Sequence, residues 1–166
     1  GVYGVVKEVE AVSKPAQFKG LLAKASGKTK VTDRMKLASS DAPMVQVLHS
    51  EAQIQTEDGE IVENGIHIKG SLNIQTLYLS SDEKAPYSSI KGSIPFSYVL
   101  DVPDVNNGCT FKIQAGLEQL AVAMLDGGEL DVKAVIVCRA IVFEHKTENI
   151  VPDIVVSELD MNKLSS

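Results

Sequence analysis

Between Leu130 and Phe143 apolar residues occupy both parities of an extended chain. Leu130, Val132, Ala134, Ile136, Cys138, Ala140 and Val142 lie on one parity, and Val135, Val137, Ile141 and Phe143 on the other. Successive side chains of a strand point to opposite faces, so a run apolar on both is expected at the centre of a fold, covered on both sides. It follows the turn signal Asp126-Gly127-Gly128, and residues 109–124 and 130–145 are therefore expected to form a hairpin. No apolar stretch approaches the roughly 20 residues that span a bilayer as a helix, and no membrane insertion is expected.

Alternation with a period of two dominates from Val45 onward. Ile66, Ile68, Leu72, Ile74 and Tyr78 share one parity, while His67, Lys69, Asn73 and Gln75 take the other. That pattern predicts a long strand with one buried face, and Gly70 in its middle suggests a bulge or bend. Ala52, Ile54 and Thr56 alternate likewise before the turn signal Thr56-Glu57-Asp58-Gly59, and Phe111, Ile113, Ala115 and Leu117 follow the hairpin signal Asn106-Asn107-Gly108. One stretch differs. Phe18, Leu21, Leu22 and Ala25 have the spacing of an amphipathic helix, predicted over Ala16–Ser26 with Pro15 at its start and Gly27 closing it. Val2–Val12 and Lys28–Leu37 read as strands on either side of it. The tail from Pro152 reads as an edge strand and then a linker. The expected fold class is mostly β: an antiparallel β-sandwich-like unit with one short amphipathic helix near the N-terminus.

The 166 residues, 44% hydrophobic and 23% charged, fit one domain or at most two small ones. Residues 1–13 show no continuous apolar stretch of the kind a signal peptide needs. The net charge of −6 is uneven. Residues 1–36 carry Lys7, Lys14, Lys19, Lys24, Lys28, Lys30, Arg34 and Lys36 against Glu8, Glu10 and Asp33, so this segment is basic and the remainder strongly acidic. An acidic chain repels a phosphate backbone, and no nucleic-acid partner is expected. The basic segment reads as a lysine-rich solvated face, or as a surface that docks on the acidic body of another copy. The two cysteines, Cys109 and Cys138, lack metal-ligand spacing and suit a reducing compartment.

No constellation for catalysis is evident. His49, His67 and His145 are scattered over separate strands, and no phosphate-binding glycine loop or nucleophile elbow occurs. Asp126-Gly127-Gly128-Glu129 and Ser81-Asp82-Glu83 lack calcium-ligand spacing and read as turns. Asp101, Asp104 and Asn106 are the nearest thing to a carboxylate cluster and read as a solvated loop. Catalytic residues, metal ligands and cofactors are accordingly expected to be none. Aromatic residues make up only 5%, without tryptophan. Tyr3, Tyr78, Tyr87 and Tyr98 are the only candidates for a sugar-stacking platform, the feature a glycan- or cell-wall-binding sandwich would need.

The stretch Gly70-Ser71-Leu72-Asn73-Ile74-Gln75-Thr76-Leu77-Tyr78-Leu79, followed by Ile94-Pro95-Phe96-Ser97, resembles the SPOCS (spore coat structure) domain family. The hairpin from Leu125-Asp126 to Glu129-Leu130-Asp131-Val132-Lys133-Ala134 and the N-terminal Val5–Glu10 with Phe18 are similar to the same family. The resemblance implies residues 1–40 as a strand–helix–strand flank like the segment between repeats, 41–147 as the β domain, and 148–166 as an edge strand or linker toward a further module, often LysM. It implies a non-catalytic interaction scaffold of spore coat assembly, in the mother-cell cytoplasm at the forespore surface, with basement-layer or coat proteins as partners and self-association as a further option. Ile94, Pro95 and Phe96 are the candidate partner-contact residues. Their local reading is structural: Pro95 belongs at an edge or bend, and Phe96 plugs a sandwich end.

Overall fold

The computed structural model describes residues 15–149, with side chains from 20 to 145. The expected strand Val2–Val12 and the tail from Pro152 lie outside these residues. Seven strands are present: β1 (Pro15–Lys36), β2 (Met44–Thr56), β3 (Glu60–Val62), β4 (Gly65–Ser80), β5 (Tyr87–Asp101), β6 (Cys109–Leu125) and β7 (Glu129–Asn149). Contacts divide the chain into a unit of residues Ala23–Val142 and a second of Gly1–Leu22 and Phe143–Ser166. The described residues of the second unit, 15–22 and 143–149, are extended.

Within 23–142 the strands form two sheets. Sheet A has the order β1-β7-β6. In sheet B the long β4 is central, with β5 antiparallel on one side and β2 and β3 antiparallel on the other. Alternation explains β4 directly. Every even side chain from Ile66 to Ser80, glycine at 70 aside, is buried, and Ile66, Ile68, Leu72 and Thr76 are fully so. Thr76 is tolerated there because its hydroxyl hydrogen-bonds that of Ser50 on β2 at 2.9 Å, which removes most of the cost of burying it.

The sheets stack with β1 over β5 and β6 against β2. A Cβ at Gly27 would collide with the Tyr98 hydroxyl, and one at Gly92 would meet Met35 Sδ at 2.9 Å. As β1 advances from 27 to 35, β5 retreats from 98 to 92. β2 and β6 run close together without sharing a ladder. The core lies between the sheets: Ile66, Leu72, Ile94 and Leu100 from one, Leu130, Val132, Ile136, Cys138 and Val142 from the other.

The register of sheet A follows from its outer surface. Residues 24–26, 139–141 and 112–114 border one depression, while Lys30, Thr32, 133–135 and 119–121 border another. β1 therefore rises as β7 falls, and Lys28 lies opposite Val137. This explains an exception to the expected pattern. The odd face of β7 has no further layer over it among the described residues, and Ile141 is 39% exposed, yet Val137 is only 8% exposed. The ion pair from Lys28 Nζ to Glu118 Oε1, 2.7 Å, joins β1 to β6 across β7 at that level and roofs Val137. The two-sided apolar run is thus central to its sheet but covered by a layer on one face only.

The expected helix over Ala16–Ser26 is not formed, because these residues lie in β1. Over 24–31, Ala25, Gly27, Thr29 and Val31 turn inward and Lys24, Ser26, Lys28 and Lys30 outward. A helix would satisfy its own backbone groups as well, so packing decides: as a strand beside β7 the segment lays Ala25, Thr29 and Val31 on the core, which outweighs the few tenths of a kcal/mol per residue that helix propensity offers. Gly27 ends no helix; it makes room for Tyr98.

Two turn signals and one glycine act differently from their sequence reading. Glu57-Asp58-Gly59 does not reverse the chain: β2 and β3 both pair with β4, and Glu57 N donates to Lys69 O at 2.9 Å across the interruption. Asn106-Asn107-Gly108 joins no hairpin but carries the chain from sheet B to sheet A, with Asn106 Oδ1 accepting from Gly108 N at 2.8 Å. At Gly70 the β4–β5 register runs on unbroken, Gly70 opposite Phe96, so there is no bulge in that ladder. By contrast, the β6–β7 hairpin forms as expected, with Gly127 and Gly128 both at φ 80°.

Both cysteines are buried and free. Desolvation pushes the Cys138 thiol above its ordinary value. A raised folded-state pKa favours the neutral thiol in the fold, so the contribution is present below the ordinary thiol pKa and is lost as pH rises through the raised one. A thiol reagent near neutral pH should leave Cys138 unmodified in the native chain and label it fully after denaturation. Native labelling as fast as in denaturant would show that the core opens.

Candidate functional site

The residues singled out for partner contact separate by parity. Ile94 and Phe96 point into the sandwich, 4% and 8% exposed. Phe96 lies over Gly70 rather than at an end of the sandwich. Pro95 is exposed on β5, which is an edge strand pairing only with β4 among the described strands. Ser80 N donates to Pro86 O at 2.7 Å, and Val102 N to Asn64 O at 3.0 Å. Even positions of β5 thus face β4, and odd positions direct their backbone groups to the open edge. Pro95 falls on an odd position, so its missing N–H takes a donor from the edge and not from the ladder.

His49 and His67 do not converge. His49 pairs with Leu77 and His67 with Val99, which places them about 30 Å apart along β4. His49 Nε2 is 3.7 Å from Glu51, His67 hydrogen-bonds Ser97 Oγ, and His145 lies on β7 in the other unit. Among the described residues no group of three or more His, Cys, Asp or Glu side chains is placed to hold a metal ion. The acidic turns are self-satisfied: Asp82 Oδ1 accepts from Lys84 N at 3.0 Å, and Asp104, at φ 66°, gives its carbonyl to Asn106 Nδ2. Of the tyrosines, Tyr78 is 2% exposed and Tyr98 half-buried, so Tyr87 alone stands clear among the described residues; Tyr3 lies outside them. No helix among the described residues is long and apolar enough to cross a membrane.

Surface patches remain. The outer face of sheet B has an apolar corner where Leu77 and Leu79 meet Tyr87 on β5 and the exposed Val45 and Leu48 at two irregularities of β2. The opposite end of that face carries three carboxylates, Glu60, Glu63 and Asp101, near the exposed Val99, with His67 and Lys69 beside them. The outer face of sheet A is basic. The outward row of β1 reads Lys24, Ser26, Lys28, Lys30, Thr32, Arg34 and Lys36. Lys112 of β6 and Lys133 and Arg139 of β7 join it, which brings both arginines of the chain to one face. Sequence reading found the β1 half of this surface and missed the rest. Lys133 and Arg139 stood on the outward parity of β7, but the valines between them masked the signal.

Residues 43–125 match the family described as SipL, SPOCS domain. The chain belongs to this family. The matched half holds all of sheet B and β6, while β1 and β7 lie outside it. No curated protein and no solved structure gives a significant match to the chain. The SPOCS segment thus contributes one complete sheet of the sandwich and one strand of the other.

Proposed function

We propose that this SPOCS protein is a non-catalytic scaffold of spore coat assembly, acting through its sheet faces and edges on other proteins at the forespore surface, in the mother-cell cytoplasm. The observation that carries the reading is the family match over residues 43–125. The surface chemistry supports it: the polar groups are spread over two broad faces, with ion pairs and turn hydrogen bonds of a structural kind, and the apolar corner at Leu77, Leu79 and Tyr87 has the make-up of a contact surface. The partners are coat or basement-layer proteins.

Deleting the gene in a spore-forming host should leave vegetative growth unchanged and give spores whose coat proteins are misplaced, read by electron microscopy and by fluorescent coat markers. A normally placed coat sinks the reading. Retaining the gene with Leu77→Asp and Tyr87→Asp together should reproduce the defect at unchanged protein level if the apolar corner is the contact.

A further inference from the structure

We propose that copies of this chain associate head to tail, the basic outer face of sheet A in one copy docking on the acidic end of sheet B in the next. The proposal rests on the charge geometry of residues 23–142 and stands independently of the coat reading. On sheet A, the Lys28–Glu118, Arg34–Glu129 and Lys133–Asp131 pairs at 2.7, 3.4 and 3.9 Å neutralise much of the face. Lys24, Lys112 and Arg139 have no carboxylate partner among the described residues, and they meet at one place. They border the trough over Ala140, of about 570 Å³, with the exposed Ile141 between the two lysines. Three cations without a counter-charge, around an apolar side chain, form a seat for an acidic surface with an apolar centre.

The chain carries such a surface. Glu60, Glu63 and Asp101 are exposed, form no ion pair among the described residues, and lie at the same end of sheet B as Val99, which is 47% exposed, with His67 between Glu60 and Val99 and Lys69 on the next outward row. Val62↔Gly65↔Asp101 and Glu60↔His67↔Val99 are alternate rows, with the inward-facing Ile61↔Ile66↔Leu100 between them, so the carboxylates and the valine share one end of sheet B. Ile141 against Val99 supplies the apolar centre, and the surrounding opposite charges fix the register. The two surfaces differ and lie on different sheets, so the contact is heterologous. Unless its rotation happens to close a ring, it propagates into an open row of molecules.

Sedimentation velocity of the full chain at tens of micromolar tests this. In roughly 0.05 M salt the wild type should run as species larger than a monomer. In roughly 1 M salt, where the screening length falls to about 3 Å, the association should weaken by tenfold or more. Lys24→Glu with Lys112→Glu makes both surfaces acidic, and Glu60→Lys with Asp101→Lys makes both basic. Each double variant alone should be monomeric at low salt, and an equimolar mixture should associate again, because each then meets the opposite charge. These residues are exposed, so each variant should fold, and circular dichroism is the check. A wild type that is monomeric at low salt overturns the proposal without reference to any variant. So does association that ignores salt, which would place the contact at the apolar corner of Leu77 and Tyr87. Failure of the mixture to associate overturns it equally.

Discussion

A chain cut back to residues 43–125, the segment that matches the SPOCS family, should not fold. It keeps sheet B and β6 but loses β1 and β7, and β7 is the centre of sheet A. Leu130, Val132, Ile136, Cys138 and Val142 are fully buried against sheet B, so the cut uncovers Ile66, Ile68, Leu72 and Leu100 on the facing side. Each large apolar side chain moved from core to water costs about 1.5–3 kcal/mol. Uncovering four therefore costs about 6–12 kcal/mol, comparable with the roughly 5–15 kcal/mol that holds a whole domain together. The expected observations are loss of a cooperative thermal transition, dye binding to exposed apolar surface, and poor solubility, against a single sharp transition for the full chain. A cooperative transition in the 43–125 fragment would show that sheet B and β6 carry a core of their own.

The second large effect is expected at Gly70. A Cβ there would strike the backbone carbonyl of Gln55 and approach the Phe96 ring to 2.9 Å. The carbonyl belongs to the neighbouring strand and cannot rotate away, so the β2–β4 ladder must open or the ring must leave its place. Gly70→Ala should cost about 2–4 kcal/mol, in the range of overpacked core sites. That lowers the melting temperature by roughly 5–15 °C in a chain of this size. Gly116→Ala is the control: nothing lies within 4 Å of its added methyl group. It should be neutral or slightly stabilising, since glycine within a strand gains nothing from packing. Equal effects at the two positions would mean that the Gly70 contact is not what requires glycine there.

Much of the sandwich was legible because burial in a sheet writes a period of two into the chain. Ile66–Tyr78 announced β4, and the hairpin of β6 and β7 was visible from alternation and the Asp126-Gly127-Gly128 turn. The false helix at Ala16–Ser26 arose because Phe18, Leu21, Leu22 and Ala25 mimic a helical face; the pairing that overrides it comes from β7, more than a hundred residues away. The turn at Glu63-Asn64 was overlooked although Asn64, at φ 55°, is of a residue type that tolerates the left-handed region. The basic face was only half visible for a topological reason. Lys24, Lys112 and Arg139 are distant in sequence, and strand order alone makes them neighbours.

The register of β1 against β7 also decides how the unit 23–142 hangs in its chain. Stepping outward from Lys28 opposite Val137, Ala23 reaches the level of Val142, so the chain enters and leaves at adjacent rungs of one ladder. Tension applied through the two ends would then open β1 from β7 like a zipper, one rung after another, instead of shearing all rungs together.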